Sequence, residues 1–322
     1  MITLTSGISY LDLCFQGVPR VIATAVLRGP RGVAIIDPGP SSTLPVLKDG
    51  LERAGIAIAD VTAVVLTHIH LDHAGAAGTL VRENPNVRVY VHEKGAPHLI
   101  NPEKLWASAT RLYGDAMDRL WGELRPVPEG ALVILKGGER IEAGGRELDV
   151  AYTPGHASHH VSYFARDAGV AFVGDTAGVK VLPDGDVLPP TPPPDIDLEA
   201  WRDSLARIEQ WRPDTIFLTH FGPATSVSAH FSLLRERLED ASSLVKQSLA
   251  REGTDEERET WFTEEVRRNL RRHMSESDTR VYEAAGRFDM SWRGLARYWR
   301  KMESRQSQVV SRQSEVGEVT IE

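Results

Sequence analysis

The apolar positions along the first 220 residues fall into short runs rich in β-branched side chains, separated by glycine, proline and polar turns. Such runs predict β-strands. Residues 1–36 are predicted to form strands, with the clearest runs at 21–27 and 33–36, and further strands are predicted at 61–66, 87–91, 131–135, 147–152, 161–165, 170–173 and 215–218. Leucines at helical spacing predict a helix near 42–54, and residues 95–125 are expected to be mainly helical. Strands that alternate with helices in this way predict an α/β fold.

The last third of the chain predicts helices. A proline-rich stretch at 182–195 excludes regular structure there, because proline lacks the N–H donor and restricts the residue before it. Asp197 can then cap a helix. Residues 228–302, rich in glutamate, arginine, leucine and alanine, predict three or four helices with breaks near 252–254 and Gly286. The polar tail from 303 is expected to fray.

Composition and charge narrow the classes of partner. The chain has 322 residues and a formal net charge of −8, which argues against nucleic acid or an anionic membrane as the main partner. The N-terminus does not follow the pattern of a secretory signal, and no stretch approaches 18 apolar residues. We therefore expect a cytoplasmic protein. The single cysteine, Cys14, lies between Leu13 and Phe15 and is expected to be buried and unreactive.

Several predicted strands end in residues that bind metals. Four of the strands lead to His68, His156, Asp175 and His220. His68 also begins a dense cluster, HIHLDH, at residues 68–73. In an extended segment residues two apart project to the same side, so His68 and His70 can hold one metal together. A turn after them would direct Asp72 and His73 toward a second position.

This set of residues predicts a two-metal centre. One metal is assigned to His68, His70 and His156. The second is assigned to Asp72, His73 and His220, and Asp175 would bridge the two. Imidazole and carboxylate ligands suit zinc, and also iron or manganese; we favour zinc. The alternative, in which these are solvated or core histidines, would rarely produce such a spacing by chance.

Four motifs carry a resemblance to a known family. They are THIHLDHAG at 67–75, TPGHASHH at 153–160, VGDT at 173–176 and LTHFGP at 218–223. On the basis of these motifs, residues 1–225 resemble the metallo-β-lactamase fold superfamily, in the branch that contains glyoxalase II and related thioesterases and lactonases. Asp37, in the sequence IIDPG, falls where the family carries a structural turn. His160 matches a family histidine that is expected to support the ligands, whereas His159 replaces a glycine and could face either solvent or substrate.

The resemblance implies an αββα sandwich with the metals at one edge. We divide the chain into a metallo-β-lactamase-like catalytic domain at 1–225, a C-terminal helical extension or lid at 226–302 and a polar tail at 303–322. In the extension, the arginines at 267, 268, 271 and 272 could bind an anionic substrate group or form a solvated charged face. Trp106, Tyr113 and Trp121 could line the pocket or belong to the core.

These observations predict a metal-dependent hydrolase. A hydroxide shared by the two metals would attack the carbonyl of a thioester or lactone, as in glyoxalase II, and Asp72 would orient the attacking oxygen. Two alternatives are a phosphodiesterase that uses the same metals and a non-catalytic, metal-stabilised binding protein. The expected partner is a small-molecule substrate, with no nucleic acid or membrane, and the amphipathic C-terminal helices make a homodimer plausible.

Overall fold

Two β-sheets stack face to face, and helices cover the outer face of each sheet. A computed structural model describes the backbone of residues 1–317 and the side chains of residues 1–305 and 307. The apolar core between the sheets takes residues from both, including Ala25 of one sheet and Tyr163 and Phe172 of the other. The predicted αββα sandwich is therefore confirmed.

The first sheet is antiparallel in its first half and parallel in its second. Its strands lie in chain order: β1 (Ile2–Thr5), β2 (Ile8–Asp12), β3 (Ala23–Gly29), β4 (Gly32–Ile36), β5 (Val61–Val65), β6 (Arg88–His92) and β7 (Leu132–Leu135). Along β3, Ala23, Ala25 and Leu27 face the second sheet, while Val26 faces the outer helices. This alternation follows from the two-residue period of a strand.

The second sheet is antiparallel except where β11 pairs with β12. Its strands are β8 (Arg140–Ala143), β9 (Arg146–Tyr152), β10 (Val161–Ala165), β11 (Val170–Phe172), β12 (Thr215–Leu218) and β13 (Gly222–Ala224). They lie in the order β13-β12-β11-β10-β9-β8. The apolar pattern did not reveal β8, which is half charged, or β13, which begins with Gly-Pro; both are short edge strands.

The helices fall into groups by the sheet that they cover. Their bounds are α1 (Leu44–Arg53), α2 (Leu71–Ala74), α3 (Ala77–Glu83), α4 (Ala96–Ile100), α5 (Glu103–Tyr113), α6 (Met117–Trp121), α7 (Leu198–Gln210), α8 (Val227–Leu249), α9 (Asp255–Leu270), α10 (Glu276–Gly286) and α11 (Phe288–Gly317). Leucines of α1 and α3 pack on the first sheet. Residues of α7, α8, α9 and α11 form the outer core of the second sheet.

The helix boundaries confirm several predictions. The Asp197 carboxylate accepts the backbone N–H of Ala200 at 3.0 Å and so caps α7. The predicted breaks near 252–254 and Gly286 separate α8 from α9 and α10 from α11. Residues 182–195 contain neither helix nor strand. Within residues 1–317 no helix is both long and apolar enough to cross a bilayer.

Two predictions need correction. Cys14 is exposed, not buried. Its backbone adopts a left-handed conformation with φ of 47°, and Asp12 accepts its N–H at 2.9 Å, so the turn directs Cys14 outward between the buried Leu13 and Phe15. The tail does not begin at 303, because α11 continues through Gly317; arginine, glutamine and glutamate in this stretch are good helix formers. The rest of the predicted tail, 318–322, lies outside the described residues.

Candidate metal centre

The seven predicted ligands meet at one edge of the sandwich, beyond the ends of four strands. Those strands and the residues they lead to are β5 and His68, β9 and His156, β11 and Asp175, and β12 and His220. The single-turn helix α2 holds Asp72 and His73, and His70 precedes it in an extended conformation. Residues 68–73 change from an extended segment to a helix, and this change lets a single motif supply ligands to both metal positions.

Three histidines form the first group of donor atoms. Nδ1 of His70 lies 3.0 Å from Nε2 of His68 and 3.0 Å from Nε2 of His156. The potential ligand atoms of this group all lie within 4.8 Å of one another. The structure therefore brings His68, His70 and His156 together as the sequence analysis expected, with His70 presenting a different ring nitrogen from the other two.

A second group is formed by Asp72, His73 and His220, whose potential ligand atoms also lie within 4.8 Å of one another. The Asp72 Oδ2 atom is 3.4 Å from Nε2 of His220 and 3.9 Å from Nε2 of His73. The Asp175 carboxylate lies between the two groups. Its Oδ1 is 3.2 Å from Nε2 of His73, and its Oδ2 is 3.4 Å from Nε2 of His156.

Hydrogen bonds behind three of the histidines fix which nitrogen faces the centre. Nδ1 of His156 donates to the Pro190 carbonyl at 2.8 Å, and Nδ1 of His220 donates to the Val21 carbonyl at 2.6 Å. Nδ1 of His73 lies 2.8 Å from the Asp37 carboxylate. Because carbonyl and carboxylate oxygens only accept, each Nδ1 carries a proton, and each Nε2 is the nitrogen that faces the centre.

Asp37 joins the segments that carry the ligands. It is 1% exposed, and its carboxylate accepts four hydrogen bonds. The donors are the Thr67 N–H at 2.8 Å, the Thr67 hydroxyl at 2.7 Å, the Thr219 hydroxyl at 2.8 Å and His73. Thr67 and Thr219 each precede a ligand histidine. The sequence analysis placed Asp37 only in a structural turn. The Thr-His pair, which occurs at 67–68 and again at 219–220, could have indicated that one residue accepts hydrogen bonds from both threonines.

The charges of the site favour a bound cation. Burial alone would raise the pKa of Asp72, but His73 and His220 outweigh it and lower the pKa to about 2. Burial would lower the pKa of His73, yet the carboxylates of Asp175, Asp72 and Asp37 raise it well above its usual value. Burial, together with His156, lowers the pKa of His70 to about 4, which keeps its lone pair available. The carboxylates thus attract positive charge, and the neutral imidazoles can donate to it.

The donor set fits metal ions, because two of its buried atoms make no aligned hydrogen bond with any described residue. Nε2 of His73 and Oδ1 of Asp175 are buried, and neither has a partner aligned for a hydrogen bond. An unsatisfied buried polar atom costs about 1–3 kcal/mol. A divalent cation among the imidazoles and carboxylates would satisfy both atoms, and this donor chemistry is that of zinc, iron and manganese sites.

The two remaining histidines of the TPGHASHH motif lie on different sides of the centre. His160 is fully buried, and its Nδ1 lies 3.0 Å from the Thr153 hydroxyl and 3.1 Å from the Thr176 hydroxyl. It contributes to none of the groups of ligand atoms found among the described residues. His159 lines the cavity in front of His70, with ring centroids 5.6 Å apart. The open question about His159 is therefore decided in favour of the cavity.

A cavity of about 420 Å³ opens above the centre. His70, Asp72, His156 and Asp175 lie at its floor, and its walls come from α4 to α6, from the proline-rich loop and from the junction of α10 and α11. Trp121 belongs to the core of the first sheet, and Tyr113 and Trp106 pack against that core; of the three, Tyr113 and Trp121 also line this cavity.

The extension contributes its α10–α11 junction to the cavity but not the four arginines of α9 and its C-terminal end. Arg267 pairs with Glu264 and Glu283, Arg268 with Glu265 and Arg271 with Glu276. Arg272 lines a separate cleft. Arg267, Arg268 and Arg271 therefore form a charged surface paired with glutamates, which is the second of the two alternatives given in the sequence analysis.

Parts of this chain are similar in sequence to known proteins. The chain is 29% identical over 208 residues to metallo-beta-lactamase fold-containing protein ST1585 of Sulfurisphaera tokodaii, a match that covers 63% of this chain and 74% of that protein. It is 30% identical over 143 residues to a hydroxyacylglutathione hydrolase of Synechococcus sp., covering 44% and 43% of the two chains. The chain thus spans less than half the length of that enzyme.

A solved structure shows the same fold over nearly the whole chain. The metallo-beta-lactamase family protein TTHA1429 from Thermus thermophilus superimposes with a TM-score of 0.69 at 21% identity, covering 94% of this chain and 95% of that one. TTHA1623, solved in a di-iron-bound form, superimposes with a TM-score of 0.51 at 24% identity, covering 66% and 93%. The model of the metallo-beta-lactamase superfamily matches residues 17–220. With that match spanning more than half of its length, the chain belongs to the metallo-beta-lactamase superfamily of metallo-hydrolases.

Proposed function

We propose that this protein is a dinuclear metal-dependent hydrolase that cleaves a thioester or lactone at its carbonyl. One observation carries the proposal: the two oxygens of Asp175 face different groups of donor atoms, Oδ1 toward His73 and His220 and Oδ2 toward His156. A carboxylate in this position can bind two ions at once. A purely structural site would need only one closed set of ligands.

The residues that would hold the ions are the seven of the centre. His68, His70 and His156 would hold one ion, Asp72, His73 and His220 the other, and Asp175 both. When bound, such ions polarise a carbonyl and make water nucleophilic at neutral pH. Zinc is the ion we favour; iron is the leading alternative because TTHA1623 was solved in a di-iron-bound form, and manganese suits the same donors.

Asp72 is the residue best placed to act on substrate. Its side chain is 25% exposed, more than the other carboxylate of the centre, and it lines the cavity. Since its pKa is lowered to about 2, it is ionised at neutral pH and accepts hydrogen bonds only. It would accept a hydrogen bond from the attacking water and so orient the oxygen toward the carbonyl.

The cavity and one relative support a small-molecule substrate of the ester class. The volume of the cavity, about 420 Å³, lies in the range of ligand sites, and its lining combines apolar residues such as Leu105, Leu112 and Met290 with polar and charged ones. The hydroxyacylglutathione hydrolase of Synechococcus sp. is named for a thioester substrate. We therefore place thioesters and lactones before other carbonyl compounds.

The test is a metal measurement and an assay on the same sample. We would purify the protein without added metal and quantify bound ions by mass spectrometry. A panel would contain S-lactoylglutathione, an acyl-CoA, an acyl-homoserine lactone, a β-lactam and a bis-aryl phosphodiester. We expect about two ions per chain and hydrolysis of a thioester or lactone that a chelator removes and added metal restores.

Matched variants separate catalysis from metal binding. Asp72→Asn should lower kcat strongly, whereas Asp49→Asn, at an exposed ion pair on α1, should leave it unchanged. Turnover of the phosphodiester alone would favour the phosphodiesterase alternative. Metal bound without turnover of any substrate would favour the metal-stabilised binding protein, and fewer than one ion per chain after reconstitution would exclude the two-metal site.

A further inference from the structure

One wall of the cavity carries cations at helical spacing. Lys104, Ser108 and Arg111 of α5 all line it, and they follow one another at four and three residues. Residues at this spacing share one face of a helix. Lys104 and Arg111 are therefore presented to the cavity together, about 10 Å apart along the helix axis.

Neither cation has a partner in the part of the chain that the structure describes. Among the described side chains, Lys104 and Arg111 make no ion pair and no hydrogen bond. Elsewhere in this acidic protein, arginines are commonly paired with carboxylates. Such pairs include Arg235 with Glu209, Arg267 with Glu283, Arg293 with Glu259 and Arg300 with Asp255. Other cations without such a pair, for example Arg297 and Lys301 of α11, do not line the cavity, whereas Lys104 and Arg111 do.

The other charged side chains that line the cavity already make hydrogen bonds or face the metal centre. Lys94 donates to the Tyr152 hydroxyl at 2.7 Å, and Arg287 donates two hydrogen bonds to Asp289. Asp195, in the proline-rich loop, also lines the cavity and accepts a hydrogen bond from the Ser158 hydroxyl. The carboxylates at the floor, Asp72 and Asp175, face the histidines of the metal centre. The positive charge of α5 is therefore available to a ligand.

We propose that Lys104 and Arg111 bind an anionic group, a carboxylate or a phosphate, on the part of the substrate remote from its reacting carbonyl. This inference rests on the proposed function, which places the carbonyl at the cavity floor. An anionic group at the wall would form charge-assisted hydrogen bonds with an ammonium and a guanidinium that have no other side-chain partner among the described residues. The substrate class is thus an anionic thioester or lactone rather than a neutral one.

The experiment compares three thioesters that share one acyl group. The thiol is N-acetylcysteamine, which is neutral, glutathione, which carries carboxylates, or coenzyme A, which carries phosphates. The variants are Lys104→Ala/Arg111→Ala and the more conservative Lys104→Gln/Arg111→Gln. The control is Arg297→Ala/Lys301→Ala, which removes the same charge from exposed positions of α11 that do not line the cavity.

We expect both cavity variants to raise the ratio of KM for an anionic thioester to KM for the neutral one by about tenfold, in keeping with charged hydrogen bonds at a solvated site. The control should leave this ratio unchanged. In the wild type, KM for the anionic thioester should also rise with salt. A larger change in this ratio with the glutathione thioester would identify the anion as a carboxylate, and a larger change with the coenzyme A thioester would identify it as a phosphate.

An unchanged ratio in both cavity variants would overturn the inference while hydrolysis itself persists. An equal change in the control would overturn it as well, because it would point to overall charge. Absence of metal-dependent hydrolysis of all three thioesters and of a lactone would instead contradict the proposed function. The two failures are therefore distinguishable.

Discussion

The floor of the cavity and its walls are built in opposite ways. The floor belongs to a metal centre whose residues follow strand ends or lie on the short helix α2; most of them are buried, and hydrogen bonds from behind hold several of them, as Asp37 shows with its four donors. The wall formed by α5 is a helix inserted between two strands of the first sheet, and its cavity-facing Lys104 and Arg111 are exposed. The floor is determined by the sandwich, whereas the wall can change without disturbing it.

This difference separates what the site can do from what it acts on. The chemistry depends on donor atoms whose positions follow from sheet geometry, and a small displacement there affects every ligand. In our proposal, substrate choice depends on side chains of the exposed α5 wall, where substitutions usually change stability by less than about 0.5 kcal/mol. Variants of the floor should therefore affect metal binding and turnover, and variants of the wall should affect KM.

The largest effect is expected for Asp175→Ala. This change removes the carboxylate between the two groups of donor atoms. It also removes the carboxylate oxygen nearest to Nε2 of His73. We expect loss of at least one bound ion and a fall in kcat of roughly 10³-fold, which corresponds to several kcal/mol of lost charge stabilisation. Metal analysis after dialysis, together with initial rates, would measure both quantities.

The control for this variant is Asp203→Ala, on the exposed side of α7. It removes a carboxylate from outside the centre and should leave metal content and kcat unchanged. Two ions retained by Asp175→Ala with nearly normal turnover would contradict the bridging position.

A smaller effect is expected for Asp37→Asn. An amide replaces one of its acceptor oxygens with a donor, although Thr67, Thr219 and His73 all require an acceptor. We expect metal affinity to fall by about 10–100-fold, as for other groups that orient ligands. Competition with a chromogenic chelator would measure the affinity.

Asp197→Asn is the matched control, because asparagine caps a helix as well as aspartate does. If Asp37→Asn bound metal as tightly as the wild type, the hydrogen bonds behind the histidines would not be what positions them.

The floor could be predicted from the sequence because its signals are local. Ligands directly after apolar runs predicted that His68, His156, Asp175 and His220 meet at one edge, and the structure brings them together. The αββα architecture followed from the family motifs. Even here, the role of Asp37 was missed, since its partners lie 30 to 182 residues away in the chain.

The walls could not be predicted in the same way. Cations on a helix surface look alike in sequence whether they face a cavity or a carboxylate of another helix. The arginines of α9 were considered for substrate binding, yet Arg267 pairs with Glu283 of α10, a partner 16 residues away. The sequence did not indicate that Lys104 and Arg111 line the cavity, because this position follows only from the packing of α5 over the centre.

Gly155→Ala should have an intermediate effect. Gly155 precedes His156, has φ of 137°, and a Cβ there would collide with the backbone of Trp201. We expect the free energy of unfolding to fall by about 1–3 kcal/mol from backbone strain, with a loss of metal affinity as His156 shifts. Denaturant unfolding and chelator competition would measure the two effects.

Gly17→Ala serves as the control, since it also has a positive φ, 75°, but no described atom lies near the position of its Cβ. It should lower stability without changing metal affinity. Equal metal affinity in the two variants would show that the contact with Trp201 does not position His156.

The smallest effect is expected for Arg267→Gln, which tests the other half of the comparison. Arg267 and Glu283 are 28% and 33% exposed and join α9 to α10 at a distance from the cavity. A partly exposed ion pair contributes about 0.2–1 kcal/mol, so unfolding in denaturant should shift by no more than that. Arg280→Gln, at a weaker and more exposed pair, should shift it less. KM for anionic and neutral thioesters should remain as in the wild type. A selective rise in KM for the anionic thioester would instead assign substrate recognition to α9, and the division between the α5 wall and the paired surface of the extension would no longer hold.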